Sequence, residues 1–165
     1  MEQSIIILAH EVTAMRKLLC LLALLVFATP LFAADPFAGT WTLNTSKTKY
    51  TTGTPAKNVT LVIEEQGTNL QTTVTGTSSD GSPISAKFTV PISGGKGTVQ
   101  QGDFNGVTSK QISANVRENS YTKDGKEVRS RHIVISKDGK TMTSKVKGMN
   151  PGGNQVEGID VYDKQ

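Results

Sequence analysis

The chain has 165 residues, with 18 Lys and Arg against 14 Asp and Glu for a net charge of +4, and 36% hydrophobic but only 5% aromatic residues. That length holds one domain of ordinary size, and a single cysteine leaves neither a disulfide nor a thiolate metal centre. Lys and Arg scattered singly among so few aromatics also exclude the interleaved stripe of a single-strand nucleic-acid binder.

Residues 15 to 34 read MRKLLCLLALLVFATPLFAA: a basic pair, a short apolar run, Pro30, then small residues. This is the layout of a secretory signal peptide, and its apolar run is shorter than the roughly 18 to 20 residues of a membrane span. Residues 1–33 are assigned to the leader, cut between Ala33 and Ala34 or one bond later. Residues 34–165 form a single β-barrel domain, secreted or periplasmic and without a membrane anchor. Residues 1–14 carry Glu2 and Glu11 and no basic residue, so Met15 is an alternative start. Cys20 follows Leu19 where a lipobox needs Gly or Ala, which argues against a lipoprotein. Loss of the leader removes Arg16, Lys17, Glu2 and Glu11, so the mature charge stays at +4.

The mature part holds all 16 glycines, much Thr and Ser, and no amphipathic stretch at helical spacing, so the fold class is all-β. Turn signals recur about every ten residues. Between them fall ten predicted strands: 39–44, 57–66, 69–77, 83–92, 96–101, 106–113, 115–122, 126–136, 140–148 and 154–163. KDGK occurs at 123–126 and at 137–140, and Asp-Gly there favours tight hairpins. Alternation turns Trp41 and Leu43, then Val59, Leu61 and Ile63, then Leu70, Thr72 and Val74, to one face. The same face takes Ile84, Ala86, Phe88 and Val90, and later Met142 and Val146. Such a meander avoids exposed edges by closing, which gives an antiparallel up-and-down β-barrel of 8–10 strands; a two-sheet β-sandwich is the second choice.

The stretch FAGTWTLN, residues 37–44, resembles the first-strand G-x-W signature of the calycins, the lipocalins and intracellular fatty-acid-binding proteins. The ending VYDKQ is similar to the last strand of the fatty-acid-binding branch, and ten strands on about 130 residues suit that branch too. The resemblance implies that Trp41 plugs the bottom of the barrel. Two features depart from the branch. Residues 45–57, with Gly53 and Pro55 among them, cannot hold its helical lid, and Asp160 stands where its carboxylate-binding Arg-x-Tyr has Arg, with Tyr162 retained. Asp160 repels a carboxylate, and Arg129 or Arg131 is its expected partner.

Only His132 remains as a histidine in the mature chain, and with Ser130 on its face it has no designated carboxylate or oxyanion donor, so no catalytic residue is assigned. One His without Cys gives no zinc set, and the Asp-Gly turns lack calcium-loop spacing; neither metal nor cofactor is expected. The Lys123, Lys126, Arg129 and Arg131 cluster reads as a solvated face, and nothing in the sequence sets an oligomeric state. Two functions fit: a barrel that binds a small apolar or weakly polar molecule, or an envelope interaction protein with a side-chain-filled interior. For the first, the expected contacts are Trp41, Leu43, Leu61, Ile63, Val74 and Phe88, joined by His132, Met142 and Tyr162. His132 and Tyr162 are the polar members.

Overall fold

The computed structural model describes residues 34–165, and every regular element among them is a strand. The leader assigned to residues 1–33 lies outside the described residues. In chain order the strands are β1 (Gly39–Leu43), β2 (Lys49–Thr52), β3 (Asn58–Gln66), β4 (Asn69–Thr77), β5 (Pro83–Pro91) and β6 (Gly95–Lys96). They continue as β7 (Thr98–Gln101), β8 (Gly106–Ser113), β9 (Val116–Lys123), β10 (Lys126–Ile135), β11 (Thr141–Met149) and β12 (Gln155–Lys164). All pairings are antiparallel.

The sheet runs β6-β8-β9-β10-β11-β12-β1-β3-β4-β5-β7. Its two ends are consecutive pieces of one run. Gly95 and Lys96 pair with Ser109 and Thr108 of β8, while Thr98 and Val99 pair with Thr89 and Phe88 of β5. Between the pieces, the Gly97 amide donates to the Val107 carbonyl at 2.9 Å. One bent run thus passes from one edge of the sheet to the other and leaves a nearly closed up-and-down barrel, not a sandwich. Counted as one stave, β6 and β7 reduce the ring to the ten strands expected.

Two local features differ from expectation. The short β2 lies within residues 45–57, where no strand was foreseen, and pairs beside β1 on the same edge of β12. The two KDGK stretches also differ. Asp124 and Gly125 both take positive φ, 52° and 81°, in a two-residue hairpin, whereas residues 136–140 form a longer connection. There the Ser136 hydroxyl bonds both Asp138 and the Thr141 amide, capturing the chain before a two-residue turn can close.

The lower end of the barrel, where β3 turns into β4, is sealed by the segment that precedes β1. Trp41 is fully buried, and its indole N–H donates to the Phe37 carbonyl at 2.9 Å. Lys164 lies with its ammonium 5.0 Å from the indole centroid, and a Cβ on Gly39 would come within 2.6 Å of the same lysine's Cε. At a φ of +133°, position 39 favours glycine for its backbone conformation, and a Cβ there would also push aside the flexible end of Lys164. The G-x-W opening is therefore a packing unit: glycine admits the lysine that covers the tryptophan.

Trp41→Ala should destabilise the domain by about 3 to 5 kcal/mol in urea unfolding, the range for a buried aromatic. Native Trp41 emission should be blue-shifted and resistant to iodide; red-shifted, freely quenched emission would contradict this burial.

Candidate binding cavity

Inside the barrel is a cavity of about 420 Å³ whose walls differ in chemistry. On β3, β4 and β5 the inward positions of the period-2 pattern are apolar apart from Thr72: Leu61 and Ile63, Leu70 and Val74, Ala86 and Phe88 all line the cavity. The same alternation on β9 to β12 brings polar groups inward: Asn119, Arg131, Ser144, Asp160 and Tyr162. Met142 and Val146 flank Ser144 on β11, so the polar wall keeps an apolar border.

Arg131 and Asp160 form the centre of that wall. The guanidinium Nη1 donates to Asp160 Oδ2 at 2.7 Å and to Ser144 Oγ at 3.0 Å, while the Tyr50 hydroxyl donates to Asp160 Oδ1 at 2.9 Å. Asp160 is only 4% exposed. Burial opposes the charge on Arg131 most strongly, but the Asp160 carboxylate together with the hydroxyls of Tyr162, Tyr121 and Tyr50 outweighs it and holds the guanidinium pKa above its ordinary value. Removing one member of such a pair leaves an unmatched buried charge, a loss of about 3 to 5 kcal/mol. Tyr50 reaches Asp160 because Gly158 makes room: a Cβ there would stand 2.4 Å from Tyr50 Cδ1. The β2 strand and the glycine in β12 are one device.

At the lower end, Arg117 closes the cavity. Its Nη1 donates to the Pro91 carbonyl at 3.2 Å and to Ser109 Oγ at 3.1 Å, and its Nη2 donates to the Ile92 carbonyl at 2.7 Å. The guanidinium carbon lies 5.2 Å from the Phe37 ring centroid, with Asp35 3.9 Å from Nη2. Burial lowers the Arg117 pKa, and Asp35 partly offsets that effect. Higher up, β7 pairs no further than Lys87, leaving a notch beside the start of β5. Phe104 fills it, edge-on to Phe88 and Tyr121 at centroid distances of 5.8 and 4.8 Å. Its loop is tied down by Asp103, which accepts a hydrogen bond from Arg129. Arg129 also donates through Nε to the Met149 carbonyl at 2.7 Å.

Of the expected contacts, Leu61, Ile63, Val74, Phe88, Met142 and Tyr162 share this cavity. Trp41 and Leu43 are buried but do not line it. His132 lies elsewhere: it is exposed on the outer face, its Nδ1 3.2 Å from Glu118 Oε1, because Arg131 and Ile133 take the inward positions. It makes no contact with the interior. The anticipated partner of Asp160 is present as Arg131, whereas Arg129 is engaged at the mouth. Tyr50, Asn119 and Ser144 went unforeseen. Tyr50 lies in a four-residue strand that is mostly exposed, and a polar residue among other polar residues gives no alternation to read.

Comparison of the chain with protein-family models, curated proteins and solved structures returns no significant match.

Burial pushes the phenol pKa of Tyr162 well above its ordinary value, and burial together with the Asp160 carboxylate does the same for Tyr50. Both remain neutral while their unfolded counterparts ionise, so stability is full below about pH 10 and falls as pH rises beyond it. Alkaline titration at 295 nm should leave these two of the three tyrosines un-ionised until the protein unfolds. Reversible ionisation of all three in the folded state would contradict the burial of this cluster.

Proposed function

We propose that the mature domain is an exported, non-catalytic binding protein that holds a small apolar or weakly polar molecule inside its barrel. The observation that carries this reading is the two-sided cavity, sealed below by Phe37 and Arg117 and reaching rim residues such as Ser79 and Pro151 above. Its volume lies within the usual range of small-molecule sites, as does its design of an apolar wall with a few convergent polar groups. A lipocalin-like, calycin-type identity belongs to the same reading, supported by the Gly39-Thr40-Trp41 opening and the up-and-down strand order.

Affinity comes mainly from the apolar wall. At about 25 cal/mol per Å², burying about 400 Å² of ligand surface contributes about 10 kcal/mol, against an association cost of about 4 to 15 kcal/mol. That near-balance leaves the polar wall to set orientation and selectivity. The alternative, an envelope interaction protein with no small ligand, calls for an interior filled by side chains, and a 420 Å³ cavity speaks against it.

Native mass spectrometry of the protein purified from its own host should show a species heavier than the mature chain, and the excess should be lost on organic extraction. A clean unliganded mass, together with no thermal shift from a panel of neutral lipids and aromatics, would overturn the reading in favour of the interaction protein.

A further inference from the structure

The polar wall has unmatched hydrogen-bonding capacity. Only Nη1 of Arg131 has a partner among the described residues, although the side chain lines the cavity and keeps 21% of its surface accessible. Its Nε and Nη2 protons are therefore free to meet an acceptor in the cavity. Asn119 is directly opposite Arg131 in the β9–β10 register and is 6% exposed. Its Nδ2 makes one long contact, 3.4 Å to the Tyr121 hydroxyl, and its Oδ1 has no partner. A buried, unpaired amide oxygen costs about 1 to 3 kcal/mol unless a donor reaches it. The wall thus asks for a group that accepts from a guanidinium and donates to an amide oxygen. A hydroxyl does both.

A free guanidinium in an apolar cavity would select a carboxylate or phosphate above all else. Here that position is already taken by the protein's own carboxylate, with Asp160 bonded to Arg131 on one oxygen and to Tyr50 on the other. An anionic ligand would have to lie beside Asp160 with its charge only half matched, and it would bring Asn119 no donor. Like-charge juxtaposition of this kind is how binding sites reject close analogues.

We propose that Asp160 is the selectivity-determining residue of the cavity: it fills from within the place of an anionic ligand group, so that the barrel takes neutral amphiphiles bearing a hydroxyl and rejects the corresponding carboxylates. The inference rests on the cavity-binding reading and deepens it. Arg131 and Asn119 orient the hydroxyl, and the β3–β5 wall covers the apolar body.

Equilibrium dialysis of the mature protein against radiolabelled decan-1-ol, decan-2-one and decanoate at neutral pH tests it. Decan-1-ol should bind at least about tenfold more tightly than decanoate, a difference of about 1.4 kcal/mol. Asp160→Asn should raise decanoate affinity by about tenfold or more. Decanoate binding that does not improve in a cooperatively folded Asp160→Asn protein would overturn the assignment. Asn119→Leu gives an arm that leaves the ion pair intact: it should weaken decan-1-ol relative to decan-2-one, a ligand with an acceptor and no donor. An unchanged alcohol-to-ketone ratio would overturn the hydroxyl assignment even if Asp160→Asn did not fold. Wild-type protein that binds decanoate as tightly as decan-1-ol contradicts this inference alone, whereas wild-type protein that binds none of the three contradicts the cavity-binding reading itself.

Discussion

Closure of the sheet on itself is the constraint from which the interior follows. The run Gly95–Gln101 changes partner from β8 to β5 around Gly97, and that change joins the two edges of the sheet. An eight-strand barrel leaves an interior that side chains just fill, and width grows with strand number. A ten-stave ring lined by Val, Ala, Thr and Ser as well as larger residues therefore retains empty volume. The chain seals that volume below with Phe37 and Arg117, with Trp41 buried beside them, and narrows it above with Phe104. It fills the ends and spares the middle.

What remains in the middle is chemically two-sided because sequence pattern differs around the ring. Strands β3 to β5 alternate apolar and polar residues in the ordinary way, and their inward face is, Thr72 apart, a hydrocarbon wall. Strands β9 to β12 place polar residues on both faces. Inside a barrel those groups must satisfy one another, and the Arg131–Asp160 pair, with Tyr50 and Ser144, is the largest such arrangement. Replacing a buried pair of this kind with well-packed apolar residues is often neutral or stabilising, so stability alone is a weak reason to retain it. Its use is better sought in what the cavity admits.

Much of this architecture was legible in the sequence, for identifiable reasons. Gly- and Asp-Gly-rich turns punctuate the chain regularly enough to mark the ring strands to within about two residues, the usual uncertainty of element ends. The apolar wall followed from period-2 alternation, so Leu61, Val74 and Phe88 were read correctly as facing inward. Asn119 was not readable that way, because it sits among other polar residues on β9, whereas Ser144 shares the inward parity of Met142 and Val146 and only its bond to Arg131 was hidden. The chemistry of His132 makes it a candidate contact, yet the following Ile133-Val134-Ile135 is apolar at both parities and leaves its facing undecided. Arg131 takes the inward place, and His132 pairs with Glu118 outside. The partner of Asp160 could be anticipated because a carboxylate at an inward position of a last strand needs a base on the neighbouring strand pair, and β10 supplies it two strands away. Tyr50 could not, since the short β2 takes its place from Gly158 in a strand more than a hundred residues later.

A crystal of residues 34–165 soaked with decan-1-ol tests the central claim most directly. The account predicts one ligand inside the barrel, its chain against Phe88 and Leu61 and its hydroxyl within about 2.7 to 3.2 Å of both Arg131 and Asn119. An interior closed by rearranged side chains, or a ligand bound only on the outer face, would contradict it.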